Sequence, residues 1–174
     1  MFSPYMLKQQ TPPQTWMQEA FKLARKSPDP STQNGAVIVH NQHGIVAEGF
    51  NEFPAGVHYT DERWDRPAKY DFIEHAERNA IYEAARYGVA IEGTTMYLVG
   101  GPPCTDCARA VIQAGIDKLV YYEHSPGAHW DQSLDTATTI LVEAGIYLVP
   151  LLLPMPESTE PVLRAGELWL PFQQ

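Results

Sequence analysis

Two short stretches of the sequence bring together residue types that bind metals and move protons. The first, FIEHAERNAI, places His75 and Glu77 two residues apart, and the second, PCTDC, places Cys104 and Cys107 three residues apart. Imidazole nitrogens and thiolates are ligands that Zn²⁺ prefers. Residues i and i+3 share one face of a helix, so the two cysteines can reach one ion, whereas His75 and Glu77 point in different directions. The spacing assigns the imidazole and the thiols to a metal and leaves the carboxylate to act beside it.

Three protein ligands leave the fourth position of a tetrahedral zinc open, which is typical of a catalytic rather than a structural site. Zinc lowers the pKa of a water bound there to about 7. Glu77 could then carry protons between that water and a leaving group. Each motif alone is weak, because His-x-Glu is common and Cys-x-x-Cys also occurs in redox pairs and structural zinc sites. Together, each at a helix start where the helix dipole favours a thiolate, the motifs indicate catalytic zinc.

The elements that position these residues follow from hydrophobic periodicity and turn residues. The pattern predicts helices at 14–26, 75–87, 104–114 and 133–144, and strands at 35–40, 44–50, 94–99, 118–122 and 146–152. The first two strands are joined by three residues and form a hairpin. Such alternation predicts an α/β fold, a three-layer α/β/α arrangement with a central mixed five-stranded sheet.

The length of 174 residues suits one domain with its own core. We expect residues 1–13 to be a flexible lead-in, 14–153 to form the zinc-dependent catalytic domain, and 154–174 to form a tail. The tail is interrupted by prolines but rich in apolar residues, so we expect it to pack on the domain or on a neighbouring subunit. The connection over 51–74 is long for a compact domain, and long loops are often functional.

Composition excludes several classes of protein. The net charge of −9 argues against a broad basic surface for DNA or RNA. One phosphate needs only one or two local cations, and Arg63, Arg66 and Lys69 cluster in ERWDRPAK, although they could equally pair with the acids beside them. The most apolar segment, 146–155, is too short for a membrane helix, and the chain begins with no basic, apolar leader. We therefore expect a soluble, cytoplasmic protein with no membrane partner, and two cysteines exclude a disulfide framework.

The chain resembles the zinc-dependent cytidine and deoxycytidylate deaminase family, and most closely its deoxycytidylate (dCMP) deaminase branch, from about Ala24 to about Val149. The metal motifs match the H-x-E…P-C-x-x-C signature of zinc nucleobase deaminases. The similarity also includes SPDPSTQNGAVIV, GFNEFPAG, RWDRPAKYDFIEHAERNAI and PCTDCARAVIQAGI. It implies a cytidine deaminase-like fold in which His75, Cys104 and Cys107 bind zinc and Glu77 is the proton shuttle.

The resemblance also implies a reaction and its substrate contacts. Hydroxide would attack C4 of cytosine, Glu77 would protonate N3 and then the amine, and dCMP would become dUMP and ammonia, which supplies dUMP for thymidylate synthesis. Asn51 would bind the sugar, and the backbone N–H of Ala76 could hold the pyrimidine carbonyl. Tyr121 is a candidate for stacking on the base, although an aromatic residue at a strand end more often belongs to the core. Arg109 is a candidate for the phosphate, although it could simply be solvated.

Members of this branch form hexamers and are regulated, with dCTP as activator and dTTP as inhibitor, and with magnesium on the triphosphate. The effector site in such relatives involves the loop after the second strand. This chain differs there, because Glu52 stands where a glycine is usual and adds negative charge where a phosphate would approach.

Two other functions remain open at this point. The same chemistry could act on free cytidine, on guanine or on an adenosine in transfer RNA. The acidic balance disfavours the nucleic acid, and the cationic run ERWDRPAK favours a nucleotide over a nucleoside. Alternatively the chain could be a catalytically silent module whose zinc only fixes two helices. Glu77 disfavours that alternative, because a structural site does not need a carboxylate that is not a ligand.

Overall fold

A five-stranded mixed sheet forms the centre of the fold in the computed structural model, which describes residues 11–122 and 131–171. The strand order is β2-β1-β3-β4-β5. Strand β1 pairs antiparallel with both β2 and β3, while β3, β4 and β5 are parallel. These strands are β1 (Gly35–His40), β2 (Gly44–Phe50), β3 (Thr95–Leu98), β4 (Lys118–Tyr121) and β5 (Tyr147–Pro150). The predicted fold class is confirmed.

Helices cover both faces of this sheet. The helices in residues 11–122 and 131–171 are α1 (Pro13–Ala24), α2 (Asp61–Trp64), α3 (Lys69–Phe72), α4 (Ala76–Tyr87), α5 (Thr105–Gln113) and α6 (Asp131–Glu143). Of these, α1 packs on one face of the sheet and α4, α5 and α6 pack on the other. Side chains alternate across the strands, so the sheet has two apolar faces. Ile38 of β1 packs with residues of α4, α5 and α6, whereas its neighbour Val37 packs with residues of α1. No helix in residues 11–122 or 131–171 combines the length and apolar character that a bilayer span requires.

The long connection before α4 is more ordered than the sequence predicted. It contains the one-turn helices α2 and α3 and ends in an isolated pair of backbone hydrogen bonds between Glu52 and Glu74. The Glu74 N–H donates to the Glu52 carbonyl at 2.8 Å. Gly49 lets β2 lie directly on α4, because a Cβ there would be 2.4 Å from the Ala80 nitrogen. These contacts fix the residue before His75 against the end of β2.

The C-terminal segment forms a second small sheet that the sequence did not predict. Strands β6 (Val162–Arg164) and β7 (Glu167–Trp169) make an antiparallel hairpin. Val162 and Leu170 are buried in the same apolar cluster as α1, and the Trp169 ring stacks on Phe21 at 6.0 Å. The segment therefore packs on the α1 face of its own chain. The first ten residues lie outside the described range, and the predicted domain boundaries stay a prediction.

Candidate active site

The metal motifs both lie at helix N-termini, where the structure places the ligand residues as caps. His75 is the N-cap of α4 and Cys104 is the N-cap of α5, both in extended backbone conformation. The sequence predicted that these residues begin the helices, so the structure shifts each start by one residue. An N-cap side chain is not wound into the helix, and its backbone turns the chain into the first turn. The caps of two helices on one face of the sheet thus point toward each other.

His75, Cys104 and Cys107 form a cluster whose ligand atoms all lie within 4.8 Å of one another. The His75 Nδ1 atom is 3.6 Å from the Cys104 Sγ and 3.5 Å from the Cys107 Sγ. Zinc bonds of about 2.3 Å to sulfur and about 2.0–2.1 Å to nitrogen, at tetrahedral angles, place these atoms about 3.5–3.6 Å apart. The cluster therefore fits a zinc ion bound through Nδ1 and two thiolates.

The two thiols are electrostatically unequal. The hydrogen bond from Cys107 lowers the pKa of Cys104 to about 4. The same contact, together with burial, raises the pKa of Cys107 well above its usual value. Arg78, in the first turn of α4, is bound to Glu74 and lies 3.6 Å from Asp106 of α5. Its positive charge favours both thiolates. Sequence reasoning missed this pair, although Glu74 and Arg78 have the i,i+4 spacing of a helical ion pair.

Glu77 lies beside the cluster and is 5% exposed. Burial raises the pKa of its carboxyl above the usual value, and the positive charge of His75 opposes that rise. Burial also lowers the pKa of His75, but its contact with Cys104 and the charge of Glu77 outweigh burial and raise it. A raised pKa makes the acid form of a carboxyl closer in free energy to its carboxylate form, which favours both uptake and release of a proton. Glu77 therefore has the position and the environment of a proton carrier.

A cavity of about 550 Å³ opens onto these residues. This is within the range of small-molecule sites, about 300–1,000 Å³. Residues from distant parts of the chain line it, among them Asp29, Asn51, Arg66, Lys69, His75, Glu77, Cys104 and Arg164. The metal cluster and several charged side chains therefore share one space.

Two of the predicted cavity residues are held by an internal network. Lys69 is buried, and its Nζ is 2.5 Å from the Asp29 carboxylate and 3.0 Å from the Ser31 Oγ. The Asn51 side chain donates to Asp29 and to the Thr32 carbonyl, and its Oδ1 accepts from the Asn34 N–H at 2.6 Å. Both amide hydrogens of Asn51 are therefore used within the protein. Sugar binding by Asn51 stays a prediction, and it would use the second lone pair of Oδ1.

The other predicted residues lie in different places. Arg66 is exposed at the cavity, with its guanidinium carbon 5.9 Å from the Tyr70 ring. Tyr121 is 9% exposed and packs in the core between the sheet and α4–α6, and Ala76 is fully buried. Neither Tyr121 nor Ala76 is among the cavity-lining residues in the described part of the chain.

The remaining cation and effector candidates also lie off the lining of the cavity, as far as residues 11–122 and 131–171 show it. Arg109 is exposed on α5 and paired with Asp106. Arg63 donates to the His58 carbonyl at 2.7 Å and lies 4.5 Å over the Phe72 ring. Glu52 accepts a hydrogen bond from Tyr59 at 3.4 Å, and burial raises the pKa of its carboxyl. Of the predicted phosphate candidates, Arg66 and Lys69 are therefore the two that reach the cavity.

Comparison with known proteins decides the family. The model of the cytidine and deoxycytidylate deaminase zinc-binding region matches residues 10–123. The chain belongs to this family. It is accordingly a deaminase of the hydrolase class, as the sequence motifs predicted.

A curated relative and a solved structure agree with this assignment. The chain is 35% identical over 141 residues to deoxycytidylate deaminase of Pongo abelii. The aligned region covers 77% of this chain and 76% of the relative. The dCMP deaminase of cyanophage S-TIM5 in its apo form superposes with a TM-score of 0.64 at 26% identity, over 80% of this chain and 96% of that one. The same phage enzyme in complex with dCMP and dUMP shares the fold, with a TM-score of 0.65 at 24% identity, over 87% and 100% of the two chains.

Proposed function

We propose that this deaminase converts dCMP to dUMP and ammonia with a zinc ion held by His75, Cys104 and Cys107. The observation that carries the proposal is the placement of buried Glu77 and a zinc-compatible donor cluster on one cavity. The choice of dCMP is supported by the named relative, a deoxycytidylate deaminase that is 35% identical over most of both chains.

The proposed mechanism assigns a step to each side chain of the site. Zinc, when bound, lowers the pKa of water at the open coordination position and so supplies a nucleophile at neutral pH. Glu77 takes a proton from the water that attacks C4 of cytosine and delivers it to N3. Glu77 then takes the proton of the new C4 hydroxyl group and transfers it to the exocyclic amine, so that the C4–N bond breaks, ammonia leaves and the C4 carbonyl of uracil forms. The raised pKa of Glu77 suits both transfers, because its acid and carboxylate forms are closer in free energy than for an exposed glutamate.

Substrate binding is proposed to use the rest of the cavity. Asn51 would accept a hydrogen bond from the sugar, and the N–H of Ala76, at the first turn of α4, would hold the pyrimidine carbonyl. Arg66 is the exposed cation at the cavity and would meet the 5′-phosphate, because its guanidinium can reorient from the Tyr70 ring. Lys69 is already engaged with Asp29, so its charge would act through that pair.

The test is deamination of dCMP, deoxycytidine and CMP at equal concentration, followed by ultraviolet absorbance with zinc-loaded protein. We expect dCMP to be preferred, which would establish the 5′-phosphate and the deoxyribose as recognised groups. Turnover of none of the three would overturn the dCMP assignment and direct attention to free bases, to transfer RNA and to a silent zinc module.

We extend the proposal to regulation and assembly. Activation by dCTP and inhibition by dTTP, with Mg²⁺ on the triphosphate, rest on the resemblance to the branch, and Glu52 is the residue that differs. Addition of each triphosphate with Mg²⁺ to the dCMP assay tests them, and equal rates throughout would remove regulation from the proposal. A homo-oligomer, a hexamer by resemblance, is supported by exposed large apolar side chains on the described surface, among them Tyr82, Tyr87 and Tyr147. Light scattering coupled to size exclusion would measure its mass.

A further inference from the structure

The C-terminal hairpin of β6 and β7 contains one arginine, Arg164, and this residue lines the cavity. Arg164 is the only Lys or Arg after Lys118 in the sequence, and it follows two apolar residues. It is 6% exposed and lines the same cavity as His75 and Glu77. The hairpin is fixed in place because the Gly166 N–H donates to the Ser31 carbonyl at 2.8 Å and the Leu163 N–H donates to the Gln33 side chain at 3.1 Å.

The guanidinium of Arg164 has hydrogen-bond donors to spare. Its Nη1 donates to the backbone carbonyls of Gln33 and Leu163. Its Nε and Nη2 are buried and find no acceptor among the described residues. Arginine carries five N–H donors in a planar fork, and unpaired buried donors of a charged group are strongly unfavourable. These two nitrogens can therefore gain a hydrogen bond from an acceptor that enters the cavity.

The charge of Arg164 is also not neutralised by an ion-pair partner of its own in the part of the chain that the structure describes. Its guanidinium carbon lies 5.0 Å from the Trp169 ring. Burial lowers its pKa to about 10, so the group stays positive at neutral pH, and Asp29 is the acid that opposes this shift. Asp29, however, already forms an ion pair with Lys69 and accepts hydrogen bonds from Asn51 and from Ser31. Within residues 11–122 and 131–171, the cavity wall thus holds a buried cation without a carboxylate devoted to it.

The Arg164 guanidinium lies beside the loop that precedes Cys104 of the metal motif. Its Nη2 lies beside Gly100, where a Cβ would be 3.3 Å away. Gly100 opens the loop that leads to Cys104, and residues 100–102 of this loop also line the cavity. Gly100 has a φ of +116°, which only glycine adopts without strain. The unpaired nitrogen is therefore close to the loop that must lie beside a substrate at the metal.

We infer that the Arg164 guanidinium, together with the exposed Arg66, binds the anionic group of the substrate, which is the 5′-phosphate if the proposed function holds. Nε and Nη2 are adjacent donors, and an arginine uses such a pair to hold two oxygens of a phosphate. Both atoms are covered in the present arrangement, so contact requires the side chain to turn from the Trp169 ring toward the cavity. The C-terminal hairpin then selects nucleotides over nucleosides, and Arg164 is a specificity residue.

The experiment measures kcat/KM for dCMP and for deoxycytidine in the wild type, Arg164→Gln and Arg164→Lys. Arg25→Gln is the matched control, because Arg25 is exposed and pairs with Glu160 on the surface. The ratio between the two substrates does not depend on the fraction of folded enzyme. Thermal unfolding of each zinc-loaded variant with inorganic phosphate, against chloride at equal ionic strength, adds a reading that does not need turnover.

We expect Arg164→Gln to lower kcat/KM for dCMP about 10- to 100-fold, the range for a lost charged hydrogen bond, and to change deoxycytidine less than about 3-fold. Arg164→Lys should recover part of the loss, and phosphate should raise the Tm of the wild type and the Arg25→Gln control but not of Arg164→Gln. Equal losses for both substrates, or no loss, would overturn the inference. If the wild type does not act on dCMP, the proposed function falls, and the change in Tm on addition of phosphate then decides the inference. A rise in Tm that is present in the wild type and disappears in Arg164→Gln supports the inference. An equal rise in both proteins, or no rise in the wild type, overturns it.

Discussion

Two groups of side chains line the same cavity, and they are built in different ways. The metal cluster consists of His75, Cys104 and Cys107. These residues and Glu77 lie at the starts of two helices, and each start corresponds to one short sequence motif. The charged cluster, Asp29, Lys69 and Arg164, is assembled from a loop after α1, a one-turn helix and the C-terminal hairpin. The first group can be recognised in the sequence by spacing, whereas the second exists only because the fold brings its parts together.

This difference separates chemistry from selection. A metal site needs a fixed donor geometry, and two helix caps with i and i+3 residues supply it locally. Selection of a substrate needs groups around its whole outline, and these can come from any segment that reaches the cavity. Changes to the metal cluster should therefore abolish all activity, while changes to the charged cluster should alter stability or substrate choice.

The largest effect is expected for Cys107→Ala. This variant removes Cys107, which is the buried member of the three proposed ligands. Bound zinc should therefore fall from about one per chain to none, and activity should disappear with every substrate. Metal content by atomic spectroscopy and the deamination assay measure the two effects. Treatment of the wild type with a chelator should have the same result, and added zinc should restore the wild type but not the variant. An active, metal-free variant would contradict the zinc assignment.

Glu77→Gln should separate catalysis from metal binding. The amide has nearly the same shape but cannot take up and release a proton as a carboxyl does, so kcat should fall about 10²- to 10⁴-fold. Zinc content should be unchanged, because Glu77 is not part of the donor cluster. Glu83→Gln on the same helix is the control, since its carboxylate accepts a backbone N–H of Glu48 at 2.6 Å on the surface side. Loss of zinc with loss of activity would instead favour a structural role for Glu77.

Lys69→Met tests the charged cluster. The substitution leaves Asp29 buried with no cation, and breaking a buried pair in this way typically destabilises a protein by about 3–5 kcal/mol. Chemical denaturation should show the lower free energy of unfolding, while zinc content of the folded protein should stay the same. Lys22→Met, at an exposed ion pair with Glu19, should change stability by less than about 1 kcal/mol. Equal stability of the two variants would show that the Asp29–Lys69 pair does not hold the charged cluster.

The smallest effect is expected for Tyr122→Phe. Tyr122 belongs to the apolar cluster on which the C-terminal hairpin packs. The Tyr122 hydroxyl donates to the Leu153 carbonyl at 2.8 Å, so its removal should cost about 1 kcal/mol at neutral pH. Burial raises the pKa of Tyr122 to about 12, above the value of about 10 in an unfolded chain. The stability from the neutral phenol is therefore present below pH 10 and is lost as the pH rises from about 10 to about 12.

Thermal unfolding between neutral pH and pH 12 measures this difference. Tyr122→Phe should lose less stability than the wild type above pH 10, so the two curves should approach each other. Parallel curves would show that the Tyr122 hydroxyl is not buried with the hairpin.

The five strands of the central sheet and four of the helices could be predicted from periodicity, because the side chains that alternate along β1 or recur along α4 are the ones that become buried. Element ends were displaced by one or two residues, since a cap such as His75 has the side chain of a helical motif but an extended backbone. The hairpin of β6 and β7 was missed because its strands are three residues long and their pairing depends on contacts with the loop at Ser31 and Gln33.

The sequence by itself predicted the donor set and the proton carrier and indicated the family, because two helix starts encode ligand types and spacing within a few residues each. The tertiary structure alone decided which charged residues share the cavity. Asn51 and Lys69 are bound within a network around Asp29. Arg164 comes from the C-terminal hairpin and has two buried nitrogens with no acceptor among the described residues. Spacing along a chain fixes geometry only within one element, whereas burial and pairing of charges depend on which elements the whole core brings into contact.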